Sequence, residues 1–271
     1  MHEIYQIFYN ESTQKSNDPG FLPLDNLSNE RPDWSEYWPI RRFFTGRTLS
    51  PDTYYGFLSP KFHQKTGLSA QDVRTFLVDC TDDVVLFSPF FDQSAFAINI
   101  FEQGNISHRN IDPILSAAFM ELNSNIRLSS LVTHSKNTVF CNYFVAKPVF
   151  WKVWLECCEK IFQICEQGDS ALSHQLNILV EHDTGMSPAK GFVIERVASF
   201  MLALGMGWRV QAYNPMRLPM TTSPVARFKD ELCRLDALKI AFCESGYPDY
   251  IKLFKNIRME ILDLIEASDA R

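Results

Sequence analysis

Strands alternating with helices through residues 1–213, then two helices with no strand between them, predict an α/β domain with a C-terminal helical extension. Two local patterns carry this reading. Val84-Val85-Leu86-Phe87 is a short run apolar on both faces, as a strand in the middle of a parallel sheet must be. Phe150, Trp151, Trp154, Leu155, Cys158, Ile161, Phe162 and Cys165 recur at helical spacing and define one wide apolar face. At roughly 150 residues per domain, 271 residues allow one large domain or two small ones. The expected division is 1–213 for the α/β domain and 214–271 for a helical extension packed on it.

Ile4 to Tyr9 is β-branched and aromatic with alternating polarity and reads as the first strand. Asp18-Pro19-Gly20, Pro23, Asp25-Asn26 and Pro32 then punctuate a long polar loop, 10–33, of a length that is often functional. Asp33 reads as the N-cap of a helix with Glu36 at its third position, running through Phe43 or Phe44, which Pro39 shortens or kinks. Tyr54–Leu58 is a second strand ended by Ser59-Pro60-Lys61-Phe62, and Ser69 caps a helix from Ala70 to Leu77. Helical segments are expected around 96–103 and 113–122, and a strand over Thr138–Ala146. Gly168 ends the aromatic helix, and 168–190 reads as an irregular connection. Phe192–Leu204 is helical, Trp208–Tyr213 a strand, and helices follow over 226–245 and 248–267.

The balance of 26 basic against 32 acidic residues leaves a net charge of −6, which argues against a nucleic-acid partner. No apolar run reaches the ~20 residues of a membrane span, and the N-terminus lacks a signal-peptide pattern, so a cytoplasmic location is expected. Seven cysteines without a Cys-x-x-Cys pair, and with His174 apart from them, read as buried apolar side chains, neither a disulfide framework nor a zinc site.

Several side chains are candidates for chemistry. Lys61 follows a strand, where open α/β sheets bind ligands, and its point charge suits phosphate. Arg41 and Arg42 are further phosphate candidates, although cations at a helix end also complement its dipole. Asn10, Glu11, Asp25 and Asn26 lie in the polar loop, which can grip a base or ribose or can simply be rich in turns. Asp79, Asp82 and Asp83 near the strand at Val84 can hold Mg²⁺ or Mn²⁺, or merely solvate the amino end of that strand. His108, beside Arg109, is a possible base or a satisfied surface residue. Glu195, next to Arg196, can face a sugar hydroxyl as a general base or favour its helix dipole. Trp34, Trp38 and Tyr55 can stack a ring, with core packing the commoner fate. No nucleophile elbow, phosphate loop or dinucleotide fingerprint is present.

Three segments together resemble a known family. Trp38-Pro39-Ile40-Arg41-Arg42 leads to Tyr54-Tyr55-Gly56-Phe57-Leu58-Ser59-Pro60-Lys61-Phe62. Asn142-Tyr143-Phe144-Val145 then runs into the aromatic helix, and Gly191-Phe192-Val193-Ile194-Glu195-Arg196 follows. This order resembles the GT-A-fold glycosyltransferase-like domains of bacterial capsule and lipopolysaccharide clusters, over about residues 1–213. The resemblance implies a GT-A-like mixed sheet flanked by helices. It also implies transfer of a sugar from a nucleotide-activated donor to a glycan or lipid-linked acceptor, with peripheral membrane contact left open. Lys61 matches one Arg of the family's basic strand end, Asn142 its strand Asn, and Glu195-Arg196 its helix pair. Ser59-Pro60-Lys61-Phe62 stands where the family has His-Tyr-Arg-Arg, and no Asp-x-Asp metal motif is present. A non-catalytic nucleotide- or glycan-binding module is the alternative these departures leave.

Overall fold

The computed structural model describes residues 1–108, 110–182 and 185–269. The strands are β1 (His2–Phe8), β2 (Leu22–Asp25), β3 (Tyr54–Leu58), β4 (Val84–Leu86), β5 (Phe144–Ala146), β6 (Leu179–His182), β7 (Gly185–Pro188) and β8 (Val210–Ala212). The first helices are α1 (Glu11–Ser16), α2 (Tyr37–Thr45), α3 (Phe62–Thr66), α4 (Ala70–Leu77), α5 (Phe91–Phe96) and α6 (Ile100–Ser107). They are followed by α7 (Asp112–Leu122), α8 (Pro148–Gln167), α9 (Ala171–Asn177), α10 (Ala189–Ala203), α11 (Lys229–Ser245) and α12 (Pro248–Asp269). Among the described residues no helix is long and apolar enough to cross a membrane.

Six strands form one mixed sheet in the order β2-β1-β3-β5-β4-β8. β1 is parallel to β2 and β3, and β4 is parallel to β8; β5 runs antiparallel between β3 and β4. β4 is therefore an interior strand, as its apolar run requires, but it lies next to the edge strand β8 and only one of its two neighbours is parallel. The period-two alternation of the strands sends side chains to two cores. Tyr5, Ile7, Tyr55, Phe57, Leu86 and Phe144 join the core under α2, α8 and α10, while Ile4, Tyr54, Leu58, Val85 and Val145 join the core under α3 and α4. Gly56 faces the second core where a Cβ would lie 2.8 Å from Val145 Cγ2, so a side chain there would push the strands apart. A third apolar cluster joins Phe91, Ala95 and Phe96 of α5 to Leu232, Leu235, Phe254 and Ile261, so the helical extension packs on the α/β domain.

The apolar face read over 150–165 is buried as α8, with Phe150, Trp151, Trp154, Cys158 and Ile161 at 0% exposure. Gly168 ends α8 in the left-handed conformation. Ser69 caps α4 in a capping box with Asp72.

Four local expectations are corrected. The segment 10–33 is not a loop throughout: it folds α1 on the Asn10 cap and adds β2 as an edge strand. Asp33 lies inside a 3-10 turn, Pro32–Trp34, and the N-cap of α2 is Glu36, with Pro39 in the first turn, where it breaks nothing. The strand expected over 138–146 shrinks to β5, because Cys141 and Asn142 adopt positive φ of 58° and 54°. Among its described residues, segment 168–190 holds α9 and the antiparallel strand pair β6–β7.

Candidate functional site

The chain leaves β1 for β2 on one side and returns to β3 on the other, so the order of strands reverses at β1. In an open sheet such a reversal leaves a crevice at the carboxyl ends of the strands. A cleft of about 240 Å³ lies there, lined by Tyr9 after β1, by Ser59, Pro60 and Lys61 after β3, and by Lys65 of α3. Cys141 and Asn142 join it because β5 is antiparallel and begins at the edge where its neighbours end. Ser35 and Glu36 before α2, and Gly191, Phe192, Ile194 and Glu195 of α10, form the opposite wall. A second cavity of about 230 Å³ shares Tyr9, Ser35 and Glu36 with the first and reaches Ile7, Asn26, Asn29 and Pro32.

The cleft is charged on both walls. Lys61 is exposed, and its ammonium has no hydrogen bond or ion pair among the described residues. Lys65, one turn further on, donates to Cys141 Sγ at 3.0 Å. Burial pulls the Lys65 ammonium down, but Cys141, Glu195 and Glu36 outweigh it and hold the group above its ordinary value. Burial pushes the Cys141 thiol up to about 11 against the opposing pull of Lys65, so it is a neutral thiol at neutral pH. Glu195 is half-buried, and its carboxylate has no hydrogen bond among the described residues. Burial raises its carboxyl above the ordinary range; Glu36 adds to the rise, and Arg196 and Lys65 oppose it. Asn142, only 6% exposed, has an Oδ1 without a partner among the described residues. Asn26, 4% exposed in the second cavity, is in the same condition. A buried carbonyl oxygen left unpaired costs about 1–3 kcal/mol, and a ligand donor removes that cost.

The wall that carries Glu36 is braced from outside the cleft. Arg31 binds Asp33 and Glu166, Trp34 Nε1 donates to Glu166, and Lys190 donates to Asp33 at 2.6 Å and to Asn177 at 2.8 Å. Against the cost of its burial, hydrogen bonds from Arg31 and Lys190 hold the Asp33 carboxyl down to about 2.

Of the residues singled out from the sequence, Lys61, Asn142 and Glu195 meet in the cleft, and Asn26 lines the cavity beside it. Glu195 reaches the cleft from the second turn of α10, with Ile194 and Val197 buried on either side. Others are engaged elsewhere. Arg41 is held by Glu159 of α8 and lies over the Phe162 ring at 4.2 Å. Arg42 is exposed, and its guanidinium donates to Ser28 Oγ at 3.4 Å. Arg196 is buried against Phe192 O, Ile100 O and Gln103, where its guanidinium fills the space over Gly104. Asn10 caps α1, and Asp25 accepts from Leu27 N in a turn. Glu11 is exposed beside Lys15. Trp34 is a core residue, 1% exposed, that also borders the cleft; Tyr55 is a core residue away from it, and Trp38 packs on Phe162.

His108 packs on the Phe192 ring with its Nδ1 at 3.0 Å from Glu181 O; Arg109 lies outside the described residues. Asp82 and Asp83 sit at the amino end of β4, away from the cleft. Asp83 is already paired with Lys147 and Arg209, and the Asp82 carbonyl accepts from Tyr54. No group of three His, Cys, Asp or Glu side chains among the described residues is placed to hold a metal ion.

Tyr9, Ser35, Glu36, Lys65 and Cys141 were not legible as site residues. Lys65 had a signal, since it stands four residues after Lys61 and so shares its helical face. The chain matches no family model, no curated protein and no solved structure, so the functional reading rests on this geometry.

Proposed function

We propose that the chain is a glycosyltransferase of GT-A-like architecture. It would move a sugar from a nucleotide-activated donor to a glycan or lipid-linked acceptor in surface polysaccharide synthesis. One observation carries this reading: a lysine, Lys61, and a carboxylate, Glu195, both without a hydrogen bond or ion pair among the described residues, line one cleft at the carboxyl ends of β1 and β3. Transfer from a nucleotide-sugar asks for these two things. A cation must hold the diphosphate leaving group, and a base must take the proton from the acceptor hydroxyl as the new glycosidic bond forms. Lys61, with Lys65 behind it, supplies the first. Glu195 supplies the second, and its raised carboxyl makes it a better proton acceptor than an ordinary surface glutamate. Tyr9, 38% exposed and shared by both cavities, offers a ring face to a base or sugar.

The test uses the full chain with a panel of nucleotide-sugars, with and without Mn²⁺. Glu195→Gln should lower turnover roughly 10²–10⁴-fold while donor affinity and melting temperature stay near wild type. Lys61→Ala should weaken nucleoside diphosphate binding by about 1.5–3 kcal/mol. Nucleotide binding with neither donor hydrolysis nor transfer would make the protein a binding module. A stability loss in Glu195→Gln without a rate loss would end the catalytic reading of that residue.

A further inference from the structure

Glu36 occupies a position that its own helix does not explain. It is the N-cap of α2, where an acidic side chain ordinarily accepts from the N–H two or three residues on, yet it makes no capping bond. The third helical position is Pro39, which has no N–H to offer. The Glu36 carboxylate is half-buried and has no hydrogen bond or ion pair among the described residues. The turn before it holds it in place: Ser35 stands at φ 46°, and Asp33 and Trp34 are anchored to Lys190, Arg31 and Glu166. Glu36 also lines both cavities, with the unpartnered amide of Asn142 in one and that of Asn26 in the other.

We infer that Glu36 binds a vicinal diol of the ligand where the two cavities meet, and thereby selects ribonucleotides over their 2′-deoxy counterparts. This rests on the nucleotide reading of the cleft. An ionised carboxylate only accepts hydrogen bonds, and its two oxygens match two adjacent hydroxyls, each a donor. A phosphate at the same place is repelled, and the lysines that attract one stand after β3. A ligand whose diphosphate lies on Lys61 and Lys65 and whose base enters the cavity of Asn26 must pass Glu36 between the two. In a nucleoside diphosphate that intervening piece is the ribose. A carboxylate without a protein partner gains most from such hydroxyls, and a ligand lacking one leaves it partly unpaired again.

Calorimetric titration of the full chain with UDP, CDP, ADP and GDP and their 2′-deoxy forms tests the inference. The ribonucleotide that binds wild type should bind about tenfold or more tighter than its deoxy form. Glu36→Gln, with folding checked by thermal unfolding, should bring that ratio below about threefold. Equal affinity of wild type for the two forms overturns the inference without touching the nucleotide reading, and so does an unchanged ratio in Glu36→Gln. Binding of none of the eight diphosphates to wild type overturns the nucleotide reading itself, and the inference with it.

Discussion

Replacing Lys190 by Met tests whether the cleft wall is held by charge from outside it. Lys190 is 3% exposed in the first turn of α10, and its ammonium lies 4.5 Å from the centre of the Trp34 ring while donating to Asp33 and Asn177. Met preserves most of the volume and removes every donor. Taking one partner from a fully buried ion pair costs about 3–5 kcal/mol. Asp33, however, is 34% exposed and keeps Arg31, so the loss here is nearer 2–3 kcal/mol after discounting for solvent. Each kcal/mol moves the melting temperature of a chain this size by about 2–4 °C, which gives a fall of roughly 4–12 °C.

The acid dependence follows with a definite sign. The folded Asp33 carboxyl sits near 2 against an ordinary 3.8, so the stability it contributes is present above 3.8 and lost as pH falls through about 2. The gap between wild type and Lys190→Met should therefore narrow in acid. Thermal unfolding across that range measures it, and on the proposed nucleotide reading of the cleft, nucleotide titration should show weaker binding as the wall of Glu36 loosens. An unchanged melting temperature at neutral pH, or a gap that persists below about 2, would refute the reasoning.

Two further outcomes concern packing and thiol chemistry. Trp154, fully buried against Tyr37, Trp151 and Phe144, should cost about 3–5 kcal/mol on replacement by Ala; chemical denaturation measures it, and a wild-type midpoint would mean that α8 does not carry the core. Iodoacetamide followed by peptide mass spectrometry should label the exposed Cys233 and Cys243 first, with Cys141 labelling accelerating as pH rises toward about 11. Rapid labelling of Cys141 at neutral pH would contradict the assigned burial and protonation of that thiol.

The strands and helices with a one-sided or two-sided apolar pattern were legible in the sequence. Phe150 to Cys165 could bury its face only as a helix, and Val84–Phe87 only inside a sheet, because their periods are set by backbone geometry. The Ser69 cap and the Gly168 stop were legible for the same local reason, a side-chain oxygen or a missing Cβ acting within one turn. Lys61, Asn142 and Glu195 could be singled out by residue type and neighbours, but nothing local brings them together. That needed the reversal of strand order at β1 and the antiparallel entry of β5, which are decided by long-range pairing. Arg41 and Arg196 show the converse. By type they suit phosphate, yet Glu159 claims one and the carbonyls of Phe192 and Ile100 the other, partners more than ninety residues away in all but one case. Glu36 reads locally as part of a helix start. Pro39 already removes one capping donor in the sequence, but only the tertiary structure, through the anchored turn at Asp33, sets the residue between two cavities and leaves its carboxylate unclaimed among the described residues.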